Sequence, residues 1–166
     1  MASVSVSTGE NNPMRLALYQ PDIPQNTGTM LRLAACLGIA VDLIEPAGFV
    51  MTDKKLRRAG MDYLDHTNLV QHRSWQAYIE QSARHGRLIL LTTRATVDYV
   101  DFAFAADDTL MVGRESDGVP DDVREFVDGA VCVPMVPAMR SLNVAVAAAM
   151  VLGEALRQTN QLPGPI

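Results

Sequence analysis

Two kinds of hydrophobic pattern alternate along the chain. Short apolar runs predict strands at residues 15–19, 41–44, 87–91, 109–112 and 130–133. Elsewhere apolar residues recur at helical spacing, which predicts a helix that opens at Asn26 and further helices at 53–59, 74–84, 121–127 and 141–158. Strands that alternate with helices in this way favour an α/β fold, with a single domain, a mostly parallel sheet and helices on both faces.

The two ends of the chain have little to bury. Residues 1–13 are rich in Ser, Thr, Gly and Asn, which predicts a flexible tail, and 161–166 form a short C-terminal tail, so the folded domain is predicted to span 14–160. The first residues lack the basic start and the apolar run of a signal peptide, and no later apolar run is long enough to span a bilayer. We therefore expect a cytoplasmic protein that does not bind a membrane.

The charge is unevenly distributed. The formal net charge is −5, which at first argues against a nucleic-acid partner. However, ten acidic residues and two basic ones lie between Asp98 and Asp128, so the rest of the chain carries a net charge of +3. A basic face can therefore coexist with the acidic total. Its densest part contains Lys55, Arg57 and Arg58, although a solvated helix face explains these charges equally well.

The cysteines and histidines do not form a metal-binding pattern. Cys36 and Cys132 lie among apolar neighbours, which favours buried, reduced thiols over a disulfide. His66, His72 and His85 are scattered, without ligand spacing to any cysteine or carboxylate. We therefore expect no metal site, and histidines that are solvated or cap helices.

Three polar or glycine-rich loops follow predicted strands, after Leu91, after Val112 and after Val133. In open α/β sheets ligands bind at the carboxyl ends of strands, so convergence of these loops would form one pocket. The loop after Val133 is interrupted by Pro134 and Pro137, neither of which can donate to a sheet ladder. The strand should end there, and the loop should bring its polar residues to the start of the last helix.

The glycines of the second loop do not identify a nucleotide site. Gly113 and Gly118 have the spacing of the first half of a phosphate-binding loop, but Val119 and Pro120 follow where a lysine and a hydroxyl residue would be required. A G-x-G-x-x-G fingerprint after the first strand is also absent. A tight turn explains these glycines equally well.

Hydrogen-bond donors beside predicted helix starts are the best candidates for chemistry. They are Arg32, Arg140, Ser141 and Asn143. Arginine carries a permanent charge on a planar fork, which suits phosphate clamping and the stabilisation of a developing oxyanion. The position of each arginine is equally compatible with a surface cation that has no role in chemistry.

Three motifs occur in order along the chain. They are Asn-Thr-Gly-Thr-Met-Leu-Arg at 26–32, Met-Val-Gly-Arg-Glu-Ser-Asp-Gly-Val-Pro at 111–120, and Val-Pro-Met at 133–135 with Arg-Ser-Leu-Asn at 140–143. Together they resemble the motifs of SPOUT-class RNA 2′-O-ribose methyltransferases. The lead-in at 18–24 and the segment Lys-Leu-Arg-Arg-Ala-Gly-Met-Asp-Tyr at 55–63 are similar specifically to the tRNA wobble-nucleotide enzymes, the TrmL type.

The resemblance implies a fold, a cofactor and a substrate. It implies a deep trefoil knot near the C-terminus, a homodimer, and S-adenosylmethionine bound by the knot loops and released as S-adenosylhomocysteine, with no metal required. It also implies methylation of the ribose 2′-oxygen of the wobble nucleotide, cytidine or uridine 34, in leucine tRNAs. On the matching positions, the cofactor would contact Leu91, Thr92, Gly113, Val133, Met135, Ser141 and Leu142.

The resemblance also implies catalytic roles. Arg32 would hold a phosphate and favour the alkoxide-like oxygen. Because the pKa of arginine lies above about 12, proton loss to phosphate or water is easier to defend than proton transfer to Arg32. Asn26 and Glu115 would orient groups around it, and Arg140 and Asn143 would shape the site.

The substrate and partner surfaces follow from the same comparison. Lys55, Arg57 and Arg58 are expected to contact RNA phosphates rather than bases. The last helix is apolar almost all round, which favours a dimer partner on one side, but Gly153 stands where relatives commonly carry an aromatic residue. Two alternatives stay open: the same chemistry at another tRNA or rRNA position, and a non-catalytic RNA-binding domain of the same fold.

Overall fold

The structure, a computed structural model, describes residues 13–52, 54–81 and 86–165. Its strands are β1 (Arg15–Tyr19), β2 (Ala40–Ile44), β3 (Leu69–His72), β4 (Leu88–Leu91), β5 (Thr109–Val112) and β6 (Gly129–Val131). They form one six-stranded sheet in the order β3-β2-β1-β5-β4-β6, and every neighbouring pair is parallel. The predicted α/β domain with a parallel sheet is therefore confirmed.

Helices cover both faces of this sheet. They are α1 (Pro24–Leu37), α2 (Lys54–Gly60), a 3₁₀ helix (Met61–His66), α3 (Trp75–Gln81), α4 (Asp121–Phe126) and α5 (Val144–Gln158). Leu16 and Leu18 of β1 pack into a core with α1 and α5, whereas Ala17 and Tyr19 pack on the other side with residues of α3 and α4. Alternate residues of one strand thus face opposite layers, as expected of a strand buried on both faces.

Two predicted helix starts are wrong. The helix α1 begins at Pro24, whose fixed φ suits a first turn, so Asn26 lies inside that turn and does not cap it. The helix α5 begins at Val144, and its cap is Asn143 rather than Ser141. The side chain of Asn26 is therefore available to the loops around it, and Asn143 caps α5 with its Oδ1 and donates to Asn26 with its Nδ2.

The strand β3 is not predicted from the sequence. Only two of its four residues are apolar, and it lies at the edge of the sheet, so its hydrophobic pattern is weak. It ends in His72, which is buried and lies with Nε2 2.8 Å from Oδ1 of Asp42, the carboxylate that also binds Arg15. Pairing with β2 and this buried contact explain the strand.

Several boundaries also differ from the prediction. The strand β6 ends at Val131 rather than Val133, and α2 includes Gly60 and continues directly into the 3₁₀ helix instead of stopping before that glycine. Ser74 does cap α3, since its Oγ accepts the N–H of Ala77 at 3.0 Å. Both cysteines are free thiols, but the predicted burial is wrong, since Cys36 is exposed and Cys132 is only half-buried. Predictions for residues 1–12, 53, 82–85 and 166 lie outside the described residues.

The two helices that carry the first motif and the basic cluster pack very closely. A Cβ at Gly28 of α1 would lie 2.5 Å from Cβ of Ala59 and 3.0 Å from the carbonyl oxygen of Leu56, both in α2. Only glycine permits this approach. The basic residues of α2 are thus fixed relative to α1.

The end of α5 is fastened to the long loop between β4 and β5. The amide of Gln158 accepts the N–H of Phe104 at 3.0 Å and donates to the carbonyl of Phe102 at 3.1 Å, and Gln161 donates to the carbonyl of Ala106 at 3.0 Å. The trefoil knot stays a prediction from the resemblance. Within the described ranges, no helix has both the length and the apolarity required to cross a bilayer.

Candidate active site

A cleft of about 680 Å³ lies at the carboxyl ends of β4 and β5, beside the segment that leads from β6 into α5. The three loops singled out in the sequence converge there. All residues predicted to contact the cofactor line this cleft, namely Leu91, Thr92, Gly113, Val133, Met135, Ser141 and Leu142. Their contacts with a cofactor stay a prediction, but their grouping in one cleft is observed.

The residues predicted to be catalytic do not all lie together. Asn26, Glu115, Arg140 and Asn143 line the cleft. Arg32 is exposed, is not among the described residues that line the cleft, and lies with its guanidinium carbon 4.8 Å from the ring centre of Tyr63. Six residues of helix carry Arg32 about 9 Å along α1 from Asn26, which explains the separation.

The residues predicted to bind RNA lie on a separate surface. Lys55, Arg57 and Arg58 are exposed on α2, which packs against α1 at Gly28, and they do not line the cleft in the described part of the chain. Arg32 is exposed on the neighbouring helix. The exposed cations of α1 and α2 therefore occupy two helices that are held rigidly together.

One wall of the cleft is a chain of side-chain hydrogen bonds. Asn143 Nδ2 donates to Asn26 Oδ1 at 2.9 Å, and Asn26 Nδ2 donates to Glu115 Oε1 at 3.4 Å. Asn143 Oδ1 in turn accepts the N–H groups of Ala145 and Val146, at 2.9 and 3.3 Å. The starts of α1 and α5 and the loop after β5 are thus connected through three polar side chains.

Glu115 is held from the other side by Asp22, which sequence reasoning did not assign to the site. The N–H of Asp22 donates to Glu115 Oε2 and the N–H of Glu115 donates to Asp22 Oδ1, both at 3.0 Å. A side-chain hydrogen bond with Glu115 lowers the pKa of Asp22 to about 2. Burial, followed by the hydrogen bond with Asp22, raises the pKa of Glu115. A lowered pKa for one carboxyl group and a raised pKa for the other are expected of two carboxyl groups that lie close together.

The loop after β5 is a closed turn. Arg114 and Gly118 exchange backbone hydrogen bonds of 3.0 and 2.9 Å, and Gly118 has a left-handed φ of +67°. A Cβ at Gly113 would lie 2.7 Å from the carbonyl carbon of Gly118. Arg114 extends from this turn and donates to the side-chain oxygen of Gln20. The turn that the glycines predict is therefore present.

The cleft combines an apolar base with a polar rim. Leu90, Val119 and Val133 are buried at its base, whereas Arg94 and Arg140 are exposed at its rim. This combination suits a small organic molecule with an apolar body and polar or anionic ends. Sequence reasoning missed Arg94, because an arginine in a long loop carries no signal of its own. The sequence does contain one signal for Asp22, because it is an acidic residue in the proline-rich segment at 18–24.

Side chains that can bind metals are not clustered in the part of the chain that the structure describes. No group of three histidine, cysteine or carboxylate side chains lies close enough there to hold an ion. The histidine His72 binds Asp42 inside the sheet, away from the cleft.

Comparison with known proteins identifies the family. The model of the SpoU rRNA methylase family matches residues 13–153. The chain belongs to this family. The methyltransferase family implied by the three sequence motifs is therefore confirmed.

Curated relatives of the family are similar over most of the chain. A tRNA (cytidine(34)-2′-O)-methyltransferase from Beijerinckia indica is 60% identical over 148 residues, which cover 89% of this chain and 92% of the relative. The protein of the same description from Escherichia coli K12 is 37% identical over 155 residues, or 92% of this chain and 98% of the relative.

Solved structures of the family share the architecture. One, described as giving structural insights into the 2-OH methylation of C/U34 on tRNA, has a TM-score of 0.84 and 39% identity and covers 89% of this chain and 97% of its own. The SpoU methyltransferase AviRb from Streptomyces viridochromogenes, in complex with the cofactor AdoMet, has a TM-score of 0.80 and 26% identity over 89% of this chain and 61% of its own.

Proposed function

We propose that this chain transfers a methyl group from S-adenosylmethionine to the ribose 2′-oxygen of the wobble nucleotide, cytidine or uridine 34, in leucine tRNAs. The observation that carries the proposal is the cleft where three strand-end loops converge. Asn26, Glu115 and Asn143 line this cleft and form one chain of hydrogen bonds. The names of the curated relatives support the reaction and the nucleotide. Action on tRNA makes the cytoplasm the expected compartment.

The cleft fits the proposed cofactor. Its apolar base suits an adenosine and a methionine stem, and its polar rim with exposed arginines suits a carboxylate. S-adenosylmethionine supplies an electrophilic methyl group when bound, and leaves as S-adenosylhomocysteine. The close approach of Gly113 to Gly118 keeps the turn at the end of β5 compact, because neither residue carries a side chain. We expect the seven lining residues named above to hold the cofactor, many through their backbones, and we expect no metal.

The polar wall would orient the substrate. The ribose hydroxyl must lose its proton as its oxygen is methylated, so a nearby cation favours the alkoxide-like oxygen and holds the adjacent phosphate. Arg32 is our candidate for this cation, with proton loss to phosphate or water. Glu115, Asn26 and Asn143 fix one another, and Arg140 at the rim shapes the entry to the cleft.

A homodimer would resolve the separation between Arg32 and the cleft. Large apolar side chains are exposed in the loop before α5 and on α5 itself, namely Val136, Met139, Leu142, Val146 and Met150. An exposed apolar surface beside a ligand cleft is typical of a protein interface. We propose that a second copy covers this surface and contributes its Arg32 to the cleft. Sedimentation at several protein concentrations tests the dimer, and a monomer at all of them would contradict it.

The RNA would lie along the basic cluster of α2. Arg57 and Arg58 are exposed and placed on a helix that is fixed to α1, so they are suited to contact backbone phosphates. The double alanine variant should weaken tRNA binding and make its dependence on salt shallower. An unchanged slope of log affinity against log salt would argue against these contacts.

Transfer of a labelled methyl group tests the proposed reaction. The protein, labelled S-adenosylmethionine and bulk tRNA should give labelled tRNA, and mapping should place the label on nucleotide 34. A leucine tRNA with 2′-deoxyribose at nucleotide 34 should accept no label, and a non-leucine tRNA should accept less than the leucine tRNA. Label at another nucleotide would favour the alternative position. No transfer, together with no calorimetric heat on addition of S-adenosylmethionine, would favour a non-catalytic RNA-binding domain.

A further inference from the structure

We propose that Asp22 is a positioning residue, which fixes Glu115 in the wall of the cleft and thereby holds the side-chain amides of Asn26 and Asn143 in one orientation. The inference rests on the proposed function, in which these three residues orient groups around the reacting oxygen. Asp22 itself lies in the loop between β1 and α1 and is half-buried. Its role would therefore be exerted through Glu115 rather than through contact with the substrate.

The contacts between the two loops are reciprocal. Each residue donates its backbone N–H to the carboxylate of the other, at 3.0 Å in both directions. The hydroxyl of Ser116 also donates to Asp22 Oδ2. Two loops separated by more than 90 residues are thus fastened at adjacent points. Such a double contact restrains both the backbone and the carboxyl plane of Glu115.

A second loop also restrains the backbone of Asp22. The N–H of Gly48 donates to the carbonyl of Pro21 at 2.9 Å, and a Cβ at Gly48 would lie 2.9 Å from Cα of Asp22. The loop after β2 therefore packs directly against the backbone of Asp22. This support fixes Asp22 in place, so the carboxyl group presents a rigid acceptor to Glu115.

The restraint passes from Glu115 to the rest of the wall. One oxygen of Glu115 accepts from the N–H of Asp22 and the other accepts from Asn26 Nδ2, so each oxygen has a hydrogen-bond donor. Asn26 must then present Oδ1 to Asn143, which donates to it at 2.9 Å. Rotation of the Glu115 carboxyl would remove the acceptor of Asn26 and release its amide. Asp22 thus determines, through Glu115, how the amides of Asn26 and Asn143 are oriented.

The electrostatics of the pair agree with this close contact. The hydrogen bond with Glu115 lowers the pKa of Asp22 to about 2, whereas burial and the hydrogen bond with Asp22 raise the pKa of Glu115. The other polar groups that contact the pair are Asn26 and Ser116, and Ser116 in turn contacts Asp117. Asparagine at position 22 could accept from the N–H of Glu115 and donate to its carboxylate without a titrating group at this position.

The test compares three variants in the intact protein. Asp22→Leu should lower kcat roughly 10- to 100-fold, because misplaced reacting groups cost about this much, while KM for S-adenosylmethionine changes far less. Asp22→Asn should restore most of kcat. Asp101→Leu removes an exposed aspartate from a loop outside the cleft and should leave both constants unchanged. A wild-type kcat in Asp22→Leu, or an equal loss in Asp22→Asn, would overturn the proposal.

A second measurement separates this inference from the proposed reaction. Carbon-13 NMR of labelled glutamate follows the titration of Glu115, identified by its loss in Glu115→Gln, without any need for activity. In Asp22→Asn the Glu115 titration should move to lower pH, because the new amide stabilises the carboxylate. An unchanged titration would overturn the role of Asp22 even if the enzyme is active. A shifted titration in a protein that transfers no methyl group would support the pairing and contradict the proposed function alone.

Discussion

Asn143 uses the two ends of one amide for two different contacts, since its Oδ1 caps α5 while its Nδ2 donates to Oδ1 of Asn26 at 2.9 Å. The amide orientation is fixed, because only the oxygen can accept the N–H groups of Ala145 and Val146. The residue that caps the last helix therefore also binds the start of α1, and the two contacts can be separated by substitution at one position.

Substitution of Asn143 should separate these two roles. Asn143→Ala removes the cap and should lower the free energy of unfolding by about 1 kcal/mol. Asn143→Asp keeps an acceptor for the helix N–H groups but cannot donate to Asn26, so it should retain stability and lose turnover. Urea denaturation and methyl transfer measure the two effects. An Asn143→Asp variant with full turnover would show that the contact with Asn26 is not required.

The Asp22–Glu115 pair should make stability depend on pH. The pKa of Glu115 is raised, so its contribution to stability is complete below its ordinary value of 4.5 and is lost as pH rises through the raised pKa. The pKa of Asp22 is lowered from 3.8 to about 2, so its contribution is present above 3.8 and is lost as pH falls to about 2.

The free energy of unfolding, measured in urea across this pH range, should therefore decline on both sides of the interval between the two transitions. Asp22→Asn should remove the contribution of Asp22 to the decline at low pH, because the amide does not titrate, and should only reduce the decline at higher pH, because Glu115 stays buried. Asp101→Asn removes an exposed carboxylate elsewhere and should leave the profile unchanged. A variant Asp22→Asn with the wild-type profile would show that other groups cause the pH dependence.

Two glycine-to-alanine variants should have opposite effects on stability. Gly28→Ala places a Cβ 2.5 Å from Cβ of Ala59, so α1 and α2 must separate, at a cost of about 1–3 kcal/mol. Gly153→Ala adds a Cβ inside α5 that meets nothing within 4 Å, and should stabilise the helix by about 0.5–1 kcal/mol. Thermal unfolding measures both. Equal effects of the two substitutions would contradict the close packing at Gly28.

The sheet and the position of the cleft could be predicted because their signals are local. Continuous apolar runs mark β1, β4 and β5, and loops that follow parallel strands must meet at one edge. The helix starts at Asn26 and Ser141 were wrong for a physical reason. Asparagine and serine are good caps in isolation, but Pro24 starts α1 earlier and Asn143 caps α5 later, which leaves Asn26 free to bind Glu115.

Other features depend on contacts that sequence spacing does not contain. The strand β3 forms because His72 meets Asp42 inside the sheet. Asp22 meets Glu115 only because two distant loops fold together. The separation of Arg32 from the cleft follows from the direction of α1, although the motif places it near the other site residues.

Arg32 provides the sharpest test of the proposed dimer. Arg32→Ala should bind S-adenosylmethionine with wild-type heat in calorimetry and lose turnover, because Arg32 does not line the cleft of its own chain in the described structure. A heterodimer of Arg32→Ala with Asn143→Asp, purified through two different tags, would contain one complete cleft if Arg32 acts across the interface. It should then show about half of the wild-type activity, since one of two equivalent sites is intact. If Arg32 acts within its own chain, both sites are defective and the heterodimer should be inactive, which would exclude the exchange of Arg32 between the copies.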